Sequence, residues 1–389
     1  MQKKTIIKNF SCGITAFLFI FSYSLCFAAS LQLNIWYALV TTVTSCIIST
    51  SLKSKVFAPD TFFTVPLLLV LSVKTNALLP FCVIGGALIY FALNKKFKTI
   101  SVHPAITGGI ALCLAFSVTA LLTTHYFGIG AEGFTASEIL KTYRSLGFHP
   151  NWRGVFFGTI TLFSMITYPF KFKTANKYLP AEAFALILPL ILNLVLNPDE
   201  NYTPVNELRG LFDFIKQDEL AFFLPSLNTS SAFAMQSYIN TIEGALSLGV
   251  LLLFSDKAET RSDSKGTAIL LNGIQGGFPV KSYEIRGYSL VSAIIAVLLT
   301  VYSCFFMDDI ISRIPLHSAA VVLIVNSWKQ VPFKTLGKGF KSGVLSIISI
   351  ILIFAVSVVY NIFTALILAI ILNTLLPLFN KIKGGAENG

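Results

Sequence analysis

Residues 276–288 read Gly-Gly-Phe-Pro-Val-Lys-Ser-Tyr-Glu-Ile-Arg-Gly-Tyr, and they lie between the apolar stretches 267–274 and 289–306. They set two glycines, a proline, Lys281, Glu284 and Arg286 where apolar sequence would otherwise run on. A second interruption, Lys55-Val-Phe-Ala-Pro-Asp-Thr-Phe-Phe-Thr-Val-Pro66, puts Pro59, Asp60 and Thr61 at the head of a short apolar run. An ionisable side chain inside a bilayer costs about 3 kcal/mol, so it comes with a partner or a task. Paired interruptions in two halves of an apolar chain mark the central site of a transporter.

The chemistry this predicts is binding. Two half-helices that end at mid-membrane turn free backbone N–H groups and positive dipole ends toward one point, which attracts an anion. Arg286 adds a planar donor fork suited to an oxyanion. Thr61 and Ser282 add hydroxyl donors. Each charged group also has a plainer reading. Asp60, after Pro59, is placed as a helix N-cap. Lys281 and Glu284 are three apart and pair with each other on a helix. Arg286 is a cytoplasmic anchor if the segment ends there. Glu243, in Asn240-Thr-Ile-Glu-Gly-Ala, serves proton or sodium coupling, pairs with Arg286, or makes a structural salt bridge.

The elements that position these groups are membrane spans. The chain has 389 residues, of which 54% are hydrophobic and only 12% charged; its mean hydropathy is +0.75. Soluble domains are about a quarter charged. Apolar runs at 9–29, 33–52, 59–73, 77–93, 104–127, 152–170, 180–196, 230–254, 266–275, 280–288, 289–307, 315–327, 342–358 and 361–378 predict an all-α polytopic protein. That makes about fourteen segments. The last two are split at Tyr360-Asn361, because one unbroken helix there would overshoot the bilayer.

Charge placement fits this count. With the N-terminus inside, the lysines at 3, 4, 8, 53, 55, 95, 96, 98, 171, 173, 177, 257, 265, 329, 334, 338, 341, 381 and 383, together with Arg261, all fall on the cytoplasmic side. Both termini are then cytoplasmic, in the inner or plasma membrane. The net charge of +11 is membrane anchoring and predicts no nucleic-acid partner. The outside connections 128–151 and 197–227 each hold a short amphipathic helix, at 137–146 and 205–216. Lys3 and Lys4 before an apolar run ending Cys-Phe-Ala-Ala-Ser30 also match a secretory signal, but the span parity argues that the segment is retained. Gly85-Gly86, Gly108-Gly109, and Gly154 with Gly158 mark close helix packing.

No metal, cofactor or enzyme is predicted. The six cysteines lie within apolar segments without ligand spacing, and the four histidines form no His-x-x-x-His pair. Neither a His-Glu-x-x-His nor a Gly-x-Ser-x-Gly pattern is present, nor a phosphate-binding Gly-x-x-x-x-Gly-Lys-Ser/Thr loop.

Three stretches resemble the SulP sulfate-permease family, which includes the anion transporters of solute carrier family 26. Gly13-Ile-Thr through Leu52 runs with the first two helices of that family, with Tyr23 at a usual glutamine and Phe27 at a usual aromatic. Phe57-Ala-Pro-Asp-Thr is similar to its Val-Gly-Pro-x-Ala. Gly276-Gly-Phe-Pro through Arg286-Gly is similar to its Gly-Gly-Phe-Pro-x-x-x-x-x-Ser-Arg-Ser, with Ile285 in place of the first serine. Ile314-Pro-Leu-His-Ser-Ala-Ala-Val-Val-Leu-Ile-Val-Asn matches a fourth run.

The resemblance implies two inverted seven-helix repeats, about 1–196 and 228–383, forming one transmembrane transport domain over 1–389. It implies core and gate bodies, half-helices 3 and 10 meeting head to head at mid-membrane, a homodimer, and elevator-like movement. The site it implies holds Tyr23, Phe27, Pro59, Asp60, Thr61, Ser282, Tyr283, Ile285 and Arg286, with Glu243, Glu284 and Asp60 for coupling. The chain reaches Gly389 without a stretch for the cytoplasmic STAS domain of the family, so no soluble regulatory domain is expected. It is also several residues short around helix 10.

The function expected is secondary transport or exchange of a small anion (sulfate, bicarbonate or a carboxylate), with H+ or Na+ coupling. Membrane lipid is the other expected partner. Nucleobase and ascorbate permeases share the fold and carry glutamates in helices 8 and 10, so a proton-coupled nucleobase permease using Glu243 and Glu284 is one alternative. A non-transporting membrane scaffold is another.

Overall fold

The computed structural model describes residues 2–31, 33, 35–50, 55–68, 78–97, 100–129, 136–196, 233–256, 263–285, 287–307, 310–311 and 313–386. Helices α1 (Gln2–Ser30) and α2 (Ile35–Ser49) lead into strand β1 (Lys55–Pro59) and the short helix α3 (Thr61–Thr64). Then come α4 (Leu79–Phe97), α5 (Pro104–Phe127), α6 (Ala136–Leu146), α7 (Trp152–Lys171) and α8 (Ala181–Leu196). The second half has α9 (Phe233–Asp256), α10 (Asp263–Ile274), strand β2 (Val280–Glu284) and α11 (Leu290–Phe306). It ends with α12 (Leu316–Gln330), α13 (Phe333–Lys341), α14 (Val344–Val359) and α15 (Ile362–Ala386).

Among the described residues, Ile7–Ser30, Pro104–Phe127 and Met235–Ser255 are long and apolar enough to cross a bilayer, and Ile35–Ser49, Ala181–Leu196, Leu290–Phe306, Val344–Val359 and Ile362–Leu376 are shorter apolar helices. Helix ends follow local signals. Pro104 opens α5, the His103 ring caps it by accepting from the Ala105 N–H, and Gly128 closes it at φ +63°. The expected break at Tyr360-Asn361 is present, and the Asn361 side chain caps α15 by accepting from the Thr364 N–H at 2.9 Å. The amphipathic helix expected at 137–146 is α6; the one at 205–216 lies outside the described residues.

The His103 cap carries a pH dependence. Burial lowers its proton affinity below the ordinary 6.5, and a protonated Nδ1 cannot accept from Ala105. The folded state therefore binds this proton less readily than the unfolded one. Its contribution is full above pH 6.5 and is lost as pH falls through and below that value. Thermal melts in detergent should show this slope, and His103→Asn, which caps without titrating, should flatten it.

Packing divides the helices into two bodies. In the first, α4 lies on α9 and α10 while α11 lies on α1 and α2, so each half of the chain covers the opening helices of the other. In the second, α5 packs on α12 and α14 while α12 packs on α5 and α7, again reciprocally. This exchange is what an inverted repeat produces. The predicted small-residue contacts sit in these seams. A Cβ on Gly86 would come within 2.7 Å of Leu248, and one on Gly108 within 2.8 Å of Leu336.

One expected element is corrected. Among the described residues of 280–288 no half-helix forms. Val280–Glu284 is strand β2, followed by a turn at Gly287 (φ +87°) pressed against Lys8. Between the end of α10 at Ile274 and the start of α11 at Leu290 there is room for a strand and a turn but not for a helix as well. Away from water every backbone polar group needs a partner, and β1 supplies them.

Candidate functional site between the two bodies

Strands β1 and β2 pair antiparallel, with Lys55 opposite Glu284, Val56 opposite Tyr283, Phe57 opposite Ser282, Ala58 opposite Lys281, and Pro59 opposite Val280. The two interruptions singled out in the sequence therefore meet side by side. The Asp60 N–H extends the contact to the Pro279 carbonyl at 3.3 Å.

Helix α2 holds this pair in place. The Thr41 hydroxyl accepts the Phe278 N–H at 2.8 Å, and the Ser49 hydroxyl accepts the Phe57 N–H at 2.9 Å. One α2 face thus pins both strand approaches. The Gly276-Gly277 step lets the chain come this close: Gly276 sits at φ +80°, and a Cβ on Gly277 would stand 2.8 Å from the Thr41 oxygen.

Asp60 is 1% exposed. Its Oδ1 caps α3, accepting the Phe62 N–H at 2.8 Å and the Phe63 N–H at 3.2 Å. Its Oδ2 lies 3.9 Å from the Lys281 ammonium. The N-cap reading of Asp60 is the one the geometry supports. The expected Lys281–Glu284 pair is corrected: on a strand, residues three apart point to opposite faces. Lys281 turns to Asp60, and Glu284, exposed, stands across the ladder from Lys55.

Aromatic rings cover the strand pair. Tyr283 packs edge-on to Phe19 at 5.1 Å and lies 6.3 Å from Tyr23, which is 6.0 Å from Phe27, which is 5.7 Å from Phe278. Thr61 is buried and accepts a hydrogen bond at 2.7 Å from Gln330, the last residue of α12, so it links the two bodies. Beside it lies a narrow cleft lined by Phe27, Ser30, Thr61 and Val65 from the first body and by Val118 and Leu323 from the second.

The remaining expected residues fall as follows. Ser282 is half-buried on β2. Ile285 packs into a small cluster with Cys12, Ala16, Ile20 and Val56. Arg286 lies outside the described residues. Glu243 is half-buried on α9, and among the described residues no hydrogen bond or ion pair ties it to the strands. The picture of two helix amino ends facing one solute is therefore replaced by one capped helix end beside a strand.

Sequence reasoning missed Thr41, Ser49 and Gln330. It also missed Glu182, in the first turn of α8, which comes close to Lys329 and Asn326 of α12 and acts electrostatically on Tyr23. The Thr41, Ser45, Ser49 spacing on one face of α2 was the available signal. For Glu182 it was a carboxylate in an apolar run.

No family profile matches the chain, and no curated protein does. Solved structures do. The transmembrane domain of a cyanobacterium bicarbonate transporter, BicA, is 14% identical over 94% of this chain and 97% of its own, with a TM-score of 0.65. SLC26A9 is 10% identical over 98% of this chain and 66% of its own, at 0.68. Murine Slc26a9, an anion transporter seen in the inward-facing state, is 11% identical over 96% and 69%, also at 0.68. The chain spans about two thirds of the SLC26A9 length. At this identity the likeness is one of fold. These neighbours are integral membrane transporters, in keeping with a multi-pass membrane protein here. The chain has the transmembrane-domain fold shared by BicA and SLC26A9, the fold of the SulP and SLC26 transporters that its motifs resemble.

Proposed function

We propose that this chain is a secondary transporter or exchanger of small anions, moving its α1–α4 and α9–α11 body against the α5–α8 and α12–α15 body. One observation carries the reading. An interrupted segment from each half of the chain meets the other as β1–β2, beside a cleft at the face between the two bodies. That is where alternating access needs a solute to sit. The BicA and SLC26A9 neighbours, which transport bicarbonate and anions by their descriptions, support the substrate class. Tyr23, Phe27, Thr61 and Ser282 are the proposed lining, with Arg286 as an added cation. Coupling to H+ or Na+, a homodimer and cytoplasmic termini belong to the same proposal.

The nucleobase alternative rests on Glu243 and Glu284. Glu284 stands exposed at the end of the ladder opposite Lys55, which gives that reading less support.

Purified protein in proteoliposomes should take up labelled bicarbonate, sulfate or a small carboxylate saturably, and should not take up uracil. Arg286→Ala should abolish the thermal stabilisation given by the transported anion. Uracil uptake without anion uptake would move the protein to the nucleobase class. No uptake of any of these would leave a scaffold.

A further inference from the structure

Helix α13 joins α12 to α14 and takes no part in the site above. Its inward face is Leu336 and Gly339, one helical turn apart and both buried. Leu336 packs with Ala105 of α5 and Ile350 of α14, and a Cβ on Gly339 would stand 2.8 Å from the Ala105 Cα. Ala105 lies in the first turn of α5, a helix long and apolar enough to cross the bilayer. That contact sets the depth of α13: it lies at the bilayer surface where α5 enters, seated on α5 and α14 of the second body.

The outward faces of α13 are of two kinds. Phe333 and Phe340, two turns apart and so on one side, are both exposed. Lys334, Lys338 and Lys341 share the neighbouring side and are exposed as well. Between the rings and the ammonium groups sits Gly337, where a Cβ would meet nothing within 4 Å. Among the described residues no carboxylate pairs with these three lysines, and no Asp or Glu occurs between Asp309 and Glu387. The helix dipole accounts for Lys338 and Lys341 in the last turn. It does not account for Lys334 in the first turn, where a cation is disfavoured.

We infer that α13 is an in-plane anchor that binds anionic phospholipid, with its three lysines on headgroup phosphate and its two phenylalanines among the upper acyl chains. A lysine stem lies along the interface while its ammonium reaches the phosphate as a point charge. Rings on the adjoining face of the same short helix enter the headgroup boundary. The open notch at Gly337 leaves room for a headgroup between the two. An acidic protein segment would match the lysines but not the rings, which at the depth of the first turn of α5 meet lipid. The anchor holds the second body to the leaflet surface. The inference needs only that α5 spans the bilayer, and it stands whichever solute the chain carries.

The test is binding of a fluorescent phosphatidylglycerol to the purified protein in neutral detergent, with phosphatidylcholine of the same chains as competitor. The parent should bind phosphatidylglycerol and release little of it to phosphatidylcholine. The triple variant Lys334→Gln/Lys338→Gln/Lys341→Gln should bind on the order of a hundredfold more weakly, and Lys338→Gln alone about fivefold. All five side chains are exposed, so melting temperatures without lipid should stay near the parent's. Lys171→Gln/Lys173→Gln/Lys177→Gln, at the exposed end of α7, makes the same change in net charge and should bind as the parent does. Phe333→Ser/Phe340→Ser should weaken binding and keep the preference for phosphatidylglycerol.

Parent-like binding by the α13 lysine variants overturns the anchor. An equal loss in the α7 triple variant overturns it too, because net charge and not this helix would then hold the lipid. Complete displacement of the lipid by glycerol phosphate would make the ligand a soluble phosphate. Displacement by a polyglutamate peptide, with no preference between the two lipids, would make it an acidic protein segment.

Discussion

Gly154→Leu should unfold the seam between α7 and α12. A Cβ built on Gly154 falls 1.9 Å from His317 Nε2, 2.2 Å from its Cδ2 and 2.3 Å from its Cε1. Those are overlaps with a whole ring, and the ring has nowhere to go. His317 is 1% exposed, and Gly128 leaves only 3.0 Å between its own Cβ position and the same Nε2. Forcing a larger side chain into a close-packed seam costs at least about 3 kcal/mol, read as a large loss of melting temperature in detergent. Gly154→Ala should show part of the same loss. Because the clash is with one side chain, His317→Ala in the Gly154→Ala background should recover stability, and a double-mutant cycle would measure the coupling. A Gly154→Leu protein that melts with the parent would show that α7 and α12 do not pack this way.

The second large effect is expected at the pins under the strand pair. Thr41→Val keeps the shape of the side chain and removes the oxygen that the Phe278 N–H donates to. Ser49→Ala does the same to the Phe57 N–H. Each leaves a buried amide without an acceptor, at a cost of about 1–3 kcal/mol. The two sites hold different strands, so the double variant should lose roughly the sum. The loss should be local. Amide exchange should speed up over β1 and β2 while α14 and α15 keep their protection, because the pins fix the strands and not the bundle. Solute binding should weaken in step, since Lys281 rides on β2 and Thr61 opens α3 directly after β1. Uniform exchange in the double variant, equal to the parent's, would mean that the hydroxyls do not hold the strands.

These two sites stand differently to the sequence. Gly154 and Gly158 were legible as small-residue packing, but nothing in the chain said that the partner would be a histidine ring. Thr41 and Ser49 were visible as polar residues in an apolar helix, yet their spacing could equally have been ordinary back-bonding within α2.

The sequence alone determined what is local and one-dimensional. Apolar run lengths set most of the segments. Pro59-Asp60-Thr61 set a helix start with its cap, and Tyr360-Asn361 set a helix break. Only the tertiary structure decided the rest. Residues 280–284 are extended because β1, distant in the chain, offers the backbone partners that a buried segment must find. That choice changes the side-chain period from helical to alternating, which takes Lys281 away from Glu284 and gives it to Asp60. Likewise, Gln330 on Thr61 and Glu182 near Tyr23 arise from helices of the second body lying against the first. Such contacts leave no trace in spacing, because they join residues through space that the chain order keeps far apart.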